Sequence, residues 1–90
     1  MVYKMIENFL DENGKIKSWP AKHEKKTAVL NYLSTKFEEE MFYTEKQVND
    51  IIKEWHTFGD FFLLRRGLID KKLIRRTDDG SKYWVEKHHL

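Results

Sequence analysis

Cysteine is absent from the 90 residues, proline occurs once and glycine four times. Without cysteine there is no disulfide framework, no thiolate nucleophile and no Cys-ligated zinc or iron–sulfur site, a composition in keeping with a reducing cytosol. There is no Pro- or Gly-rich linker, no low-complexity tract, no internal repeat and no Gly-rich phosphate loop. Long apolar runs are missing too. The longest, Phe61-Phe62-Leu63-Leu64, is far short of the about 20 residues that span a bilayer. Met1-Val2-Tyr3-Lys4 does not open a signal peptide. These absences lead us to expect a cytoplasmic protein that does not enter membranes.

What is present is 40% hydrophobic and 36% charged residues, with six Phe, four Tyr and three Trp. A chain of this length buries about 60 to 65% of its unfolded surface, so the aromatics fill one small core with no space for a cofactor cavity. The expected organisation is one domain over 1–90, with 1–19 forming an N-terminal helix and an extended segment. The net charge of +2 does not by itself announce a nucleic-acid partner. Its distribution is more informative. Lys15, Lys17, Lys22, Lys25, Lys26 and Lys36 are opposed within 15–36 only by Glu24, and Arg65, Arg66, Lys71, Lys72, Arg75 and Arg76 within 60–76 only by Asp60 and Asp70. An acidic block that includes Glu38-Glu39-Glu40 separates them. The basic blocks are either solvated faces or a binding surface.

Val2, Met5, Ile6, Phe9 and Leu10 recur at helical spacing until Asp11-Glu12-Asn13-Gly14 turns the chain, which predicts a helix over about 2–10. Lys15 to Trp19 reads as extended, because a proline disfavours helical backbone in the residue before it. Pro20, at the favoured first position, is predicted to open a second helix that runs to about Lys36. Val29, Leu30, Leu33 and Phe37 form its apolar stripe. Tyr43-Thr44-Glu45-Lys46-Gln47-Val48 combines a capping box, Thr44 with Gln47, and a hydrophobic staple, Tyr43 with Val48. The next helix starts there and carries Val48, Ile51, Ile52 and Trp55 to about His56. After Thr57-Phe58-Gly59-Asp60, the spacing of Phe61, Leu64 and Leu68 predicts a third core helix to about Lys72. Residues 73–77 and 82–86 are β-favouring and flank Asp78-Asp79-Gly80-Ser81, a hairpin turn. Met41-Phe42-Tyr43 is a candidate third strand at its edge.

This order predicts an α+β fold of the winged helix-turn-helix type: three core helices, a preceding N-terminal helix and a C-terminal β-hairpin wing. The run from Leu64 to Arg76, followed by Asp79-Gly80-Ser81-Lys82-Tyr83-Trp84, resembles the recognition-helix-to-wing segment of bacterial winged-helix transcription regulators. Trp19-Pro20-Ala21-Lys22, Tyr43-Thr44-Glu45, Val48-Asn49, Asp60 with Leu64-Arg65-Arg66, and Asp79 to Trp84 together resemble the bacterial domain-of-unknown-function family numbered two thousand and eighty-seven, over about residues 10 to 86. The resemblance implies a small bacterial domain, functionally uncharacterised and often found as the C-terminal part of transcription regulators.

If such a domain docks on duplex DNA, the third helix enters the major groove and the hairpin touches phosphate or the minor groove. Arg65, Arg66, Arg75, Arg76 and Lys82 are then the candidate contacts, since an arginine fork can clamp phosphate or reach guanine O6 and N7 together. Lys22, Lys25 and Lys26 form a second basic surface, open to phosphate or to solvent. Asp60, Phe61 and Phe62 stand at the reading end of the helix, where an acid repels phosphate; Asp60 also fits a helix cap. Arg66 and Asp70 are spaced for a salt bridge, and one arginine of the 65–66 pair could instead hold its helix against the acidic block. Trp55 and Trp84 are read as core. Trp19, Phe42, Tyr43 and Phe62, with Trp19 and Phe62 foremost, are candidates for a partner or homodimer surface, which gives the alternative function: an interaction module that does not read DNA. No nucleophile stands paired with a base. His23 and His56 lack a carboxylate at ligand spacing, and His88-His89 at the chain end would hold metal only weakly. Neither catalysis, a metal nor a cofactor is expected.

Overall fold

The computed structural model describes residues 4–85. The expected contributions of Val2, Glu86 and His88-His89 lie outside them. The elements are a 3-10 turn at Lys4–Phe9, helices α1 (His23–Ser34), α2 (Glu45–Glu54) and α3 (Phe61–Asp70), and strands β1 (Ile74–Arg76) and β2 (Tyr83–Val85). Three helices followed by an antiparallel hairpin make an α+β layout compatible with a winged helix. No helix among the described residues is long and apolar enough to cross a membrane.

Local signals place the elements that frame the hairpin. At the start of α2 the Gln47 N–H donates to Thr44 Oγ1 at 3.1 Å while the Thr44 N–H donates to Gln47 Oε1 at 2.9 Å, so two otherwise orphaned donors are satisfied reciprocally. Asp60 caps α3 by accepting from the Leu63 N–H at 3.2 Å. Just past the end of α3, Lys72 has a φ of 59°, the left-handed conformation that closes a helix. There the Leu73 N–H bonds back to the Leu68 carbonyl at 2.9 Å, and the chain turns directly into β1.

The core gathers α1, α2, α3 and the hairpin around Val29, Leu30, Leu33, Val48, Ile52, Leu64, Leu68, Ile74 and Tyr83. Gly67 lets α3 pack closely on α1: a Cβ there would stand 2.9 Å from Leu30 Cδ1. In the hairpin Ile74 faces Val85, Arg75 faces Trp84 and Arg76 faces Tyr83. On its other edge Tyr83 exchanges two backbone hydrogen bonds with Tyr43, both 2.8 Å. Ile16, fully buried, ties the N-terminal segment down by accepting from the Thr57 N–H at 2.9 Å and donating to the Trp55 carbonyl at 2.8 Å.

Several expectations need correction. The N-terminal helix is a 3-10 turn, in which residues three apart eclipse, so buried Ile6 and half-buried Phe9 share the inner side while Met5 is exposed. Pro20 does not open α1. Its ring is fully buried as core, Lys22 is still extended (φ −78°, ψ 136°), and the helix starts only at His23. The expected edge strand is a single bridge at Tyr43. Trp84 is not core: the strand alternation that turns Tyr83 and Val85 inward turns Trp84 outward, half-buried against the exposed Phe42 ring. Trp55 and Trp19 pack on the core from its margin.

Candidate nucleic-acid interface

Strand alternation divides the hairpin into two faces, and the five arginine and lysine candidates divide with it. On the inner face, Arg76 meets the outward side of α3 across a groove of about 360 Å³ lined also by Phe62, Arg65, Arg66, Ile69, Asp70, Glu45 and Tyr83. Three of the five expected cations therefore converge. The other two lie elsewhere: Arg75 is paired across the strands with Trp84, and Lys82 lines a second groove, of about 500 Å³, with Met41, Phe42 and Trp84. The Lys82 Nζ sits 5.3 Å from the centroid of the Phe42 ring.

The converging arginines are held differently. Arg65 Nη1 donates to Asn49 Oδ1 at 2.8 Å and lies 3.8 Å from Glu45 Oε1, with its side chain only 18% exposed. It pins α3 to α2, as was open for one arginine of the 65–66 pair, and its guanidinium also lies 5.1 Å from the Phe62 ring. Glu45 in turn accepts from the Tyr83 hydroxyl at 3.1 Å, so this acid of the groove already serves two partners. Arg66 stands out in solvent, its 3.8 Å pairing with Asp70 joining side chains 84% and 67% exposed. A pair so hydrated is worth at most about 0.5 kcal/mol and gives way readily to a better anion. Arg76 is exposed at the end of β1.

The hairpin tip is kept in shape by its own polar groups. The Thr77 hydroxyl donates to Asp79 Oδ1 at 2.7 Å, and Asp79 also accepts from the Ser81 N–H at 3.0 Å. The Ser81 backbone bond first, then the hydroxyls of Thr77 and Ser81, hold the Asp79 carboxyl at about 2, well under its ordinary 3.8. Gly80, at φ 73°, takes the left-handed position in this loop.

Lys22, Lys25 and Lys26 do not line the arginine groove. They belong to the start of α1, where His23 Nε2 is 3.1 Å from Lys71 Nζ and Lys25 Nζ lies 5.9 Å from the Phe9 ring. Of the expected partner-surface aromatics, Phe62 is 61% exposed, whereas Trp19 is half-buried against the core. Phe42, expected with Tyr43 on the same surface, is 62% exposed beside Met41, whereas Tyr43 is buried. At the Tyr43 bridge the inward turn of Tyr43 leaves its neighbour Phe42 turned out. His56 is buried, with Nδ1 2.6 Å from the Ile52 carbonyl and Nε2 without a partner among the described residues. No group of three or more His, Asp or Glu among those residues is placed to hold a metal.

The chain matches a protein-family profile. The profile described as "Uncharacterized protein conserved in bacteria (DUF2087)" covers residues 15–85, which takes in all three helices and the hairpin. No curated protein and no solved structure matches the chain.

Proposed function

From the premise that the chain belongs to the bacterial family DUF2087, we propose that it binds duplex DNA through α3 and the hairpin and acts in transcription regulation. The carrying observation is the juxtaposition of Arg66 and Arg76, from different elements, on the rim of one groove. Two exposed guanidinium groups set across a groove match a phosphate backbone, and the Arg65 anchor to α2 fixes the helix that presents one of them. Arg75 and Lys82 on the other hairpin face supply further contacts to phosphates approaching from that side. The test is the double reversal Arg66→Glu with Arg76→Glu. DNA affinity falls at least tenfold with the melting temperature nearly unchanged. Unchanged affinity refutes the reading.

A second reading has an observation of its own. Met41 and Phe42, 43% and 62% exposed, lie with Trp84 in one groove on the outer hairpin face, and exposed aromatics of this kind make interface hot spots. An interaction module using this face in place of DNA is recognised by sedimentation: Phe42→Ala weakens self-association without unfolding the domain. A wild-type monomer at high micromolar concentration rules out the homodimer version.

A further inference from the structure

We infer that Phe62 is a specificity-determining residue that recognises thymine in the major groove through its C5-methyl group. The inference rests on the DNA-binding reading and adds to it which base feature is read.

The first turn of α3 has little with which to read a hydrogen-bond pattern. It consists of Phe61, Phe62, Leu63 and Leu64, and the one polar side chain beside it, Asp60, has its carboxylate committed to the Leu63 N–H. What this turn does present is an apolar surface, since Phe62 is 61% exposed. The ring is also held in place. It stacks on Phe61 with centroids 4.3 Å apart and planes at 27°, and the guanidinium of Arg65, itself fixed by Asn49, lies 5.1 Å from its centroid. A side chain positioned in this way loses little conformational freedom on contact.

The surroundings select the occupant. Phe62 and Arg66 are one helical turn apart and line the same groove with Arg76, so an apolar group docked on the ring is flanked by cations. A duplex offers that combination at one point, the thymine methyl, which stands in the major groove between phosphate rows and is the apolar mark that distinguishes T·A from the other pairs. The two acids of the groove do not oppose it alone: Glu45 is engaged by Tyr83 and Arg65, and Asp70 faces Arg66.

Deoxyuridine provides the test, because it keeps every hydrogen-bonding group of thymidine and removes only the methyl. Two pools of short random-sequence duplexes, one synthesised with thymidine and one with deoxyuridine, are titrated at low salt with the full chain and with Phe62→Ala. The wild type binds the thymidine pool about fourfold more tightly, the effect of one methyl group taken out of water, and Phe62→Ala, with an unchanged circular dichroism spectrum, binds both pools equally. A wild type indifferent to the methyl, or a variant that keeps the preference, overturns the inference and leaves DNA binding standing. Failure to bind either pool overturns the DNA-binding reading and this inference with it.

Discussion

Arg65 reaches from α3 to α2 and donates to Asn49 at 2.8 Å, while its neighbour Arg66 extends into solvent. Two adjacent arginines thus have different tasks, one architectural and one available to a partner. Arg65→Ala leaves a half-buried Asn49 without its donor and costs about 1 to 3 kcal/mol. Arg66→Ala changes stability by less than about 0.5 kcal/mol. Urea denaturation of the two variants measures both. Equal losses would contradict the division of labour.

Gly67 is required by the α1–α3 crossing rather than by its backbone angles. Gly67→Ala gains about 1 kcal/mol of helix propensity but drives a methyl against Leu30, whose two terminal carbons stand 2.9 and 3.0 Å away, and overpacking of that kind costs about 1 to 3 kcal/mol. A lower denaturation midpoint is expected. Leu30→Val in the same chain recovers part of the loss, whereas an increase on Gly67→Ala alone would show that the helices yield freely.

Tyr83 and Trp84 are neighbours with opposite fates. Tyr83 is 1% exposed, is joined to Glu45 and is bridged to Tyr43, so Tyr83→Ala costs about 3 to 5 kcal/mol. Trp84→Ala, on the outer face, costs clearly less. Thermal melts of the two variants decide it; the reverse order would mean that the strand is turned over.

How much of this was legible in the sequence depends on the distance over which each feature is decided. The Thr44–Gln47 box and the Asp60 cap involve residues three apart, and both were readable. The hairpin followed from β-favouring runs around Asp79-Gly80. The start of α1 was not, because burial of the Pro20 ring in the core outweighed its preference for a first helical position. Nor was the orientation of Trp84: in Tyr83-Trp84-Val85 every residue is apolar, so a period of two cannot say which side faces in. At the site, Arg66 and Arg76 were legible as basic candidates and Phe62 as an aromatic of the alternative surface, but not that all three line one groove, which depends on how the hairpin packs against α3. The Arg65–Asn49 contact spans 16 residues and could be foreseen only as a choice between the two arginines.

The hairpin tip carries a pH dependence. The Asp79 carboxyl is held at about 2 in the folded chain, chiefly by the Ser81 N–H, against an ordinary 3.8. A depressed carboxyl stabilises the fold fully above its unfolded value, and that contribution fades as the pH falls through the folded one. The Asp79 side-chain resonance and the Ser81 amide should therefore titrate together near pH 2, and Thr77→Val should move the Asp79 midpoint upward. A midpoint near 4 in the wild type would contradict the loop geometry.

The central claim, DNA binding by α3 and the hairpin, is tested most directly by recording NMR shifts of the labelled chain as mixed-sequence duplex DNA is added at two salt concentrations. The account predicts shifts at Phe62, Arg66, Arg76 and the 77–82 loop. With Arg66, Arg75, Arg76 and Lys82 as the phosphate contacts, affinity should fall with salt at a log–log slope of about −3 to −4. The absence of any shift at low salt, or shifts confined to Met41, Phe42 and Trp84, would contradict it.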